Sequence, residues 1–285
     1  MALIGTGSAS LAATPEVDCR VEASLMFSED LADLHGEATV HLVNRGVEPM
    51  TTVSIWLFPK RLAAPPSELD DVVLPRVYPN GFDPGDVAVE FVRGPDGSEL
   101  KVSEPWPGLV RVELKAPAPA GSEVKLSIGY RVRVPERYGP FGRVGRRITL
   151  DGGFLPRPPP QGAGGFMERG AAGLIDWSLE LGWAGEGAID AYINGTPLRL
   201  ERSPSRVAGR GVERVSLVAA PSFKRVDAGE GRSALRFAHH RPRPPPRGGD
   251  GLVDLAAIDP VGQTLATGEE VLSFLSNRFE SVESR

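Results

Sequence analysis

From Cys19 onward the chain alternates apolar and polar residues with a period of two. Val21, Ala23 and Leu25 take turns with Arg20, Glu22 and Ser24, and Ala38, Val40 and Leu42 with Glu37, Thr39 and His41. Such alternation predicts half-buried strands. Val53 to Phe58 (VSIWLF) is nearly continuous in apolar character and predicts a more central third strand, after turn residues Asn44-Arg45-Gly46. Pro59 to Gly85 contains several prolines and has no period. Val87 to Val92 and Glu99 to Ser103 flank Arg93-Gly94-Pro95-Asp96-Gly97, which predicts a hairpin closed by Asp-Gly. Leu109 to Leu114 and Val124 to Val134 add two strands, split by the turn Ala116 to Gly121.

Arg137 to Pro160 (RYGPFGRVGRRITLDGGFLPRPPP) interrupts this series. It is basic and glycine-rich at the front, has the short strand Ile148-Thr149-Leu150 in the middle, and ends in prolines. Gly/Pro clusters of this kind usually form surface loops; here the pattern predicts a corner where the chain leaves one sheet for another. Strands then resume at Asp176 to Leu181, Ala188 to Ile193, Thr196 to Leu200, Glu213 to Ala219 and Ala234 to Ala238. Asn194-Gly195 is the strongest hairpin signal, because both residues tolerate positive φ. Arg241 to Gly251 (RPRPPPRGGDG) reads as a linker. Beyond it, Val271, Leu272, Phe274, Leu275 and Phe279 fall on one face of a helix, with Thr267 and Glu270 as its capping box.

The predicted fold is therefore mainly β: an antiparallel, saddle-like β-sandwich of two sheets with a short C-terminal helix. The expected divisions are a leader or signal-peptide remnant (1–18), a β-domain (19–240, corner near 137–160), a Pro/Gly linker (241–262) and a helical start of a further domain (263–285).

Composition narrows the chemistry. A net charge of −5 gives no reason to expect nucleic acid, and no apolar run approaches a membrane span of about 18 residues. Cys19 is the single cysteine, which excludes an internal disulfide and a cysteine-rich zinc site. Met1 to Ala13 is small and uncharged, with Ser10-Leu11-Ala12 resembling a cleavage region, so export is the expectation although no Lys or Arg precedes it.

Catalytic motifs are absent. The histidines are His35, His41, His239 and His240; no H-E-x-x-H occurs, and the adjacent pair would face opposite sides of a strand. There is no G-x-S-x-G around a serine, and Ser8 lies in the leader. Gly139, Gly142 and Gly145 are spaced three apart, unlike a dinucleotide loop, and no helix follows to receive a phosphate. Asp70-Asp71 reads as exposed loop acids.

Three pieces of the chain resemble the N-terminal part of M1-family zinc metallopeptidases, the aminopeptidase-type gluzincins. Leu34 to Asn44 followed by Val53-Ser54-Ile55-Trp56-Leu57 is similar to the family's opening strands, "L-x-G-x-x-T/V-x-L-x-N" and "L-x-L-x-L". Leu150 to Pro156 resembles a "G-G-(F/W/Y)-x-P" corner, and Asp176 to Leu181 with Asn194-Gly195 resembles the pair that closes the saddle. Val271 to Phe279 looks like the first helix of the family's catalytic domain. The resemblance implies zinc in a catalytic domain, whose histidines and glutamates this sequence does not contain. Gly165 to Arg169 mimics the family's G-x-M-E-N motif, but it precedes the strand the motif should follow, and Arg169 replaces the Asn.

These readings imply a non-catalytic β-domain that shapes one wall of a peptide cleft, with no cofactor of its own. Its expected partner is the catalytic domain of the parent peptidase, or another protein. The expected cleft or domain-junction lining is Asp151, Gly152, Gly153, Phe154 and Arg157, and the expected interface to the missing domain is Val271, Leu272, Leu275 and Phe279. The rival reading is a free-standing exported β-sandwich that binds a protein or glycan. An enzyme with an unfamiliar site is a third, and no nucleophile–base pair emerges for it.

Overall fold

A computed structural model of the chain describes residues 17, 19–66, 73–170, 172–221, 223–228 and 235–239. The leader, Asp70-Asp71, His240, the linker and the helix carrying Val271, Leu272, Leu275 and Phe279 lie outside the described residues. The described part is mainly β and contains no closed barrel. It divides into two compact units at Ala219/Ala220.

In the first unit the opening strands follow the predicted alternation. β1 (Cys19–Phe27) buries Val21, Ala23, Leu25 and Phe27 and exposes the residues between. β2 (Asp33–Val43) pairs with it antiparallel, matching Val21 to Val40 and Ala23 to Ala38. β3 (Met50–Trp56) stops short of the predicted Phe58, because Pro59 begins a 3-10 turn over Phe58–Leu62. One helical turn, α1 (Leu74–Val77), interrupts the proline-rich excursion.

The predicted pairing of Val87–Val92 with Glu99–Ser103 is corrected. β4 (Asp86–Arg93) keeps a short turn there, with the isolated bridge Arg93–Glu99 and the Leu100 N–H donating to the Val92 carbonyl at 2.8 Å, but β5 (Val102–Trp106) belongs to a different sheet. β6 (Leu109–Ala118) takes β5, while β7 (Glu123–Arg133) takes β4. The physical reason is burial: Val87 and Val92 reach the core by lying against Val132 and Ile128 of β7, whereas Val102–Glu104 stay exposed.

The front of the corner is not a loop. β8 (Phe141–Val144) and β9 (Arg147–Asp151) form a hairpin with Gly145 at its turn, and a two-residue ribbon follows, β10 (Gln161–Gly162) with β11 (Gly165–Phe166). β12 (Ile175–Trp183) then returns to β1 and pairs with it in parallel, a departure from the antiparallel expectation. β13 (Ile189–Ile193) and β14 (Thr196–Leu200) meet across Asn194-Gly195 as predicted, both at positive φ. β15 (Ser205–Val212), which the pattern did not predict, edges β12, and β16 (Ser216–Ala220) pairs with β9.

The result is three main sheets: six strands in the order β15-β12-β1-β2-β7-β4, five in the order β14-β13-β16-β9-β8, and three in the order β3-β6-β5. A single apolar cluster joins them, with Val40, Leu126 and Leu179 from the first, Ile148 and Leu217 from the second, and Val53 and Val112 from the third. In the second unit, β17 (Lys224–Ala228) and β18 (Leu235–His239) form an antiparallel ribbon.

Candidate functional site

The segment after β9 is a buried strap. Phe154 to Pro160 are all buried, although the run is rich in prolines and would ordinarily be placed at the surface. Proline explains why burial is tolerated: Pro156, Pro158, Pro159 and Pro160 carry no N–H, so the strap takes few donors that need partners into the interior. Its ends are held by backbone bonds. Gly152 N–H donates to the carbonyl of Val215 at 3.1 Å, Trp56 N–H to the carbonyl of Arg157 at 2.8 Å, and Met167 N–H to the carbonyl of Pro160 at 2.8 Å.

Arg157 anchors the middle. It is 9% exposed, and its guanidinium donates from Nη1 to the carbonyl of Glu213 at 2.5 Å and from Nη2 to that of Gly173 at 2.7 Å. Phe154 and Leu155 pack into the common core. Gly153 sits at φ +77°, and a Cβ there would lie 2.6 Å from Cβ of Phe58. Only glycine lets the strap pass this close to Phe58.

Above the strap lies a cavity of about 540 Å³. All five predicted corner residues, Asp151, Gly152, Gly153, Phe154 and Arg157, line it. The pattern of the sequence did not point to the others. Trp56 and Phe58 come from the end of β3 and its turn, Ile175 from the start of β12, and Val215 from the approach to β16. These meet from positions more than a hundred residues apart, so no local spacing signals them.

The walls also carry charge. Asp151 accepts from the Ser216 hydroxyl at 2.5 Å and from Arg214 Nη1 at 3.2 Å. Glu168 lies in the segment that mimics G-x-M-E-N. It accepts from Nε and Nη2 of Arg111 at 3.0 and 2.8 Å and from the Ser54 hydroxyl at 2.6 Å, while its backbone carbonyl accepts from Trp56 Nε1 at 3.1 Å. The Arg111 bonds, with Ser54, hold its carboxyl below the ordinary value of 4.5 against the opposing effect of burial. That carboxylate is bound into the three-stranded sheet, a role different from the one its motif suggests.

Neither His35 nor His41 lines the cavity. His35 and His41 share β2, and His41 pairs through Nδ1 with Glu123 at 3.0 Å. Among the described residues no three His, Cys, Asp or Glu side chains are grouped so as to hold a metal ion. Among the same residues no helix is long and apolar enough to cross a membrane.

No family model matches the sequence, and no curated protein matches it. Its solved structural neighbours include M1 zinc metallopeptidases and an aminopeptidase N family protein. The M1 zinc metallopeptidase from Deinococcus radiodurans is 14% identical with a TM-score of 0.44, covering 78% of this chain and 47% of that one. A mutant of it bound to a Tyr-Ser-Ala substrate gives 14% and 0.45, with 77% and 46% covered. The protein from Idiomarina loihiensis is 9% identical with a TM-score of 0.41, covering 76% of this chain and 32% of its own. This chain thus spans less than half the length of either neighbour.

Proposed function

We propose that this chain is the non-catalytic β-domain of an M1-like metallopeptidase, and that its corner cavity forms part of the wall against which a peptide lies. The observation that carries this reading is convergence. Trp56 of the Val53–Leu57 piece, Gly153 to Leu155 of the corner, and Ile175 at the head of the Asp176–Leu181 piece all line the same cavity. Each belongs to, or adjoins, a different family-like motif. Motifs kept only for folding have no reason to meet at one solvent-accessible hollow, whereas motifs that build a binding wall do. Zinc chemistry would come from a catalytic domain, and this domain would supply apolar contact and orientation.

The test is peptide binding with a plugged control. A pool of short peptides, added to the whole chain, should protect residues 151–157 from hydrogen exchange and perturb Trp56 fluorescence. The Ala172→Trp variant, which fills the cavity from one wall, should lose both effects while its unfolding midpoint is retained. Protection elsewhere on the chain, or unchanged binding to A172W, would overturn the reading.

A further inference from the structure

Asn194 does more than turn the β13–β14 hairpin. It ties the hairpin tip to the start of β16 through main chain and side chain together. Its N–H donates to the carbonyl of Ser216 at 2.9 Å, its Oδ1 accepts from the Ser216 N–H at 2.6 Å, and its Nδ2 donates to the carbonyl of Arg214 at 3.0 Å. The residues it holds are those that hold the corner. Ser216 and Arg214 bind the Asp151 carboxylate, the carbonyl of Val215 accepts from the Gly152 N–H, and that of Glu213 accepts from Arg157. Asn194 does not line the cavity, but it braces the segment that does.

The same dipeptide is chemically labile, and both of its residues are exposed to water. The Gly195 nitrogen can attack Cγ of Asn194, because glycine has no side chain to shield the approach. A bond forms between that nitrogen and Cγ, the Cγ–Nδ2 bond breaks, and ammonia departs with the Gly195 amide proton. Water then opens the succinimide to aspartate or isoaspartate. In the folded chain both polar atoms of the amide are tied to 214 and 216. The side chain must leave them before Cγ can swing towards Gly195, so reaction waits on local opening.

Once the reaction has run, the tie cannot be remade as it was. An aspartate side chain only accepts, so a carboxylate oxygen would face the Arg214 carbonyl where an N–H had donated. Isoaspartate also adds a carbon to the main chain and spoils the tight turn that positive φ at both residues makes. We infer that Asn194-Gly195 is a gated modification site: it deamidates only from a tip detached from β16, and the product loosens the hold on Asp151 and Gly152.

Asn80-Gly81 supplies an internal control. It too is exposed with its glycine at positive φ. Among the described residues its amide is tied on one side alone, Nδ2 to Oε1 of Glu136 at 2.9 Å, and the Gly81 N–H donates to Tyr78 at 3.2 Å.

The experiment ages the full chain in mildly alkaline buffer, with and without denaturing guanidinium, and follows isoaspartate at both sites by peptide mapping and mass spectrometry. Native structure should slow the reaction at Asn194 by at least about tenfold relative to the unfolded chain, and by more than it slows Asn80. A second arm measures hydrogen exchange. Asn194→Asp should exchange faster than wild type at 151–152 and 214–216, while Asn80→Asp leaves those amides unchanged. If N194D does not fold, aged wild-type protein carrying the modification, separated by ion exchange, is measured in its place. Equal rates at Asn194 in the folded and unfolded chain, a slowing no greater than at Asn80, or unaltered exchange at 151–152 and 214–216 would overturn the inference.

Discussion

The backbone N–H of Trp56 donates to the carbonyl of Arg157 at 2.8 Å, and the two residues form an isolated antiparallel bridge. One hydrogen bond thus registers the end of the three-stranded sheet against the strap that leaves the five-stranded sheet. The cavity exists because these two pieces are held side by side.

Arg157 should be the strap's main polar anchor. Arg157→Ala removes the donors that serve the carbonyls of Glu213 and Gly173. The expected loss is about 2–4 kcal/mol in urea unfolding, with Arg157→Lys intermediate because a single ammonium cannot serve both carbonyls as the fork does. An R157A midpoint equal to wild type would show that Phe154 and Leu155 hold the strap alone.

Gly153 is constrained twice, by positive φ and by Phe58. Gly153→Ala is expected to destabilise the chain by about 1–3 kcal/mol and to displace Phe58 from the cavity wall. Thermal unfolding gives the first effect, and aromatic chemical shifts of Phe58 the second; an unshifted Phe58 would contradict the contact.

Glu168 links stability to acid pH. Its folded pKa is depressed, chiefly by Arg111, so its contribution is fully present above 4.5 and is lost as pH falls through the folded value. Wild type should therefore lose stability relative to Glu168→Gln as pH drops from about 5 to about 3. Denaturant midpoints of the two proteins across that range decide it, and a constant difference would mean that the Arg111 pair does not contribute.

Tyr130 offers the opposite sign. It is buried in the core, burial pushes its phenol far above the ordinary range, and its hydroxyl finds no hydrogen-bond partner among the described residues. Tyr130→Phe deletes an unsatisfied polar atom at constant shape, and should raise stability by about 1 kcal/mol. A destabilised Y130F would reveal a partner for that hydroxyl.

Much of the fold was legible in the sequence, because a strand with one face in a core must alternate. The buried faces of β1, β2 and β7 sit at the positions the period of two assigned them, and Asn194-Gly195 turned where its φ tolerance said it would. Partner choice was not. Nothing local says that β4 takes β7 in place of β5, or that β12 lies parallel to β1, since those pairings are decided by which apolar faces can share a core. Proline likewise reads as surface in a sequence, yet lacks the donor that makes burial costly, and only the packed structure shows Phe154 to Pro160 inside. The cavity follows from the same rule. Its residue types were fixed by the chain, but Arg61, Trp56 and Arg169 became neighbours of Phe154 only when three sheets closed on one core.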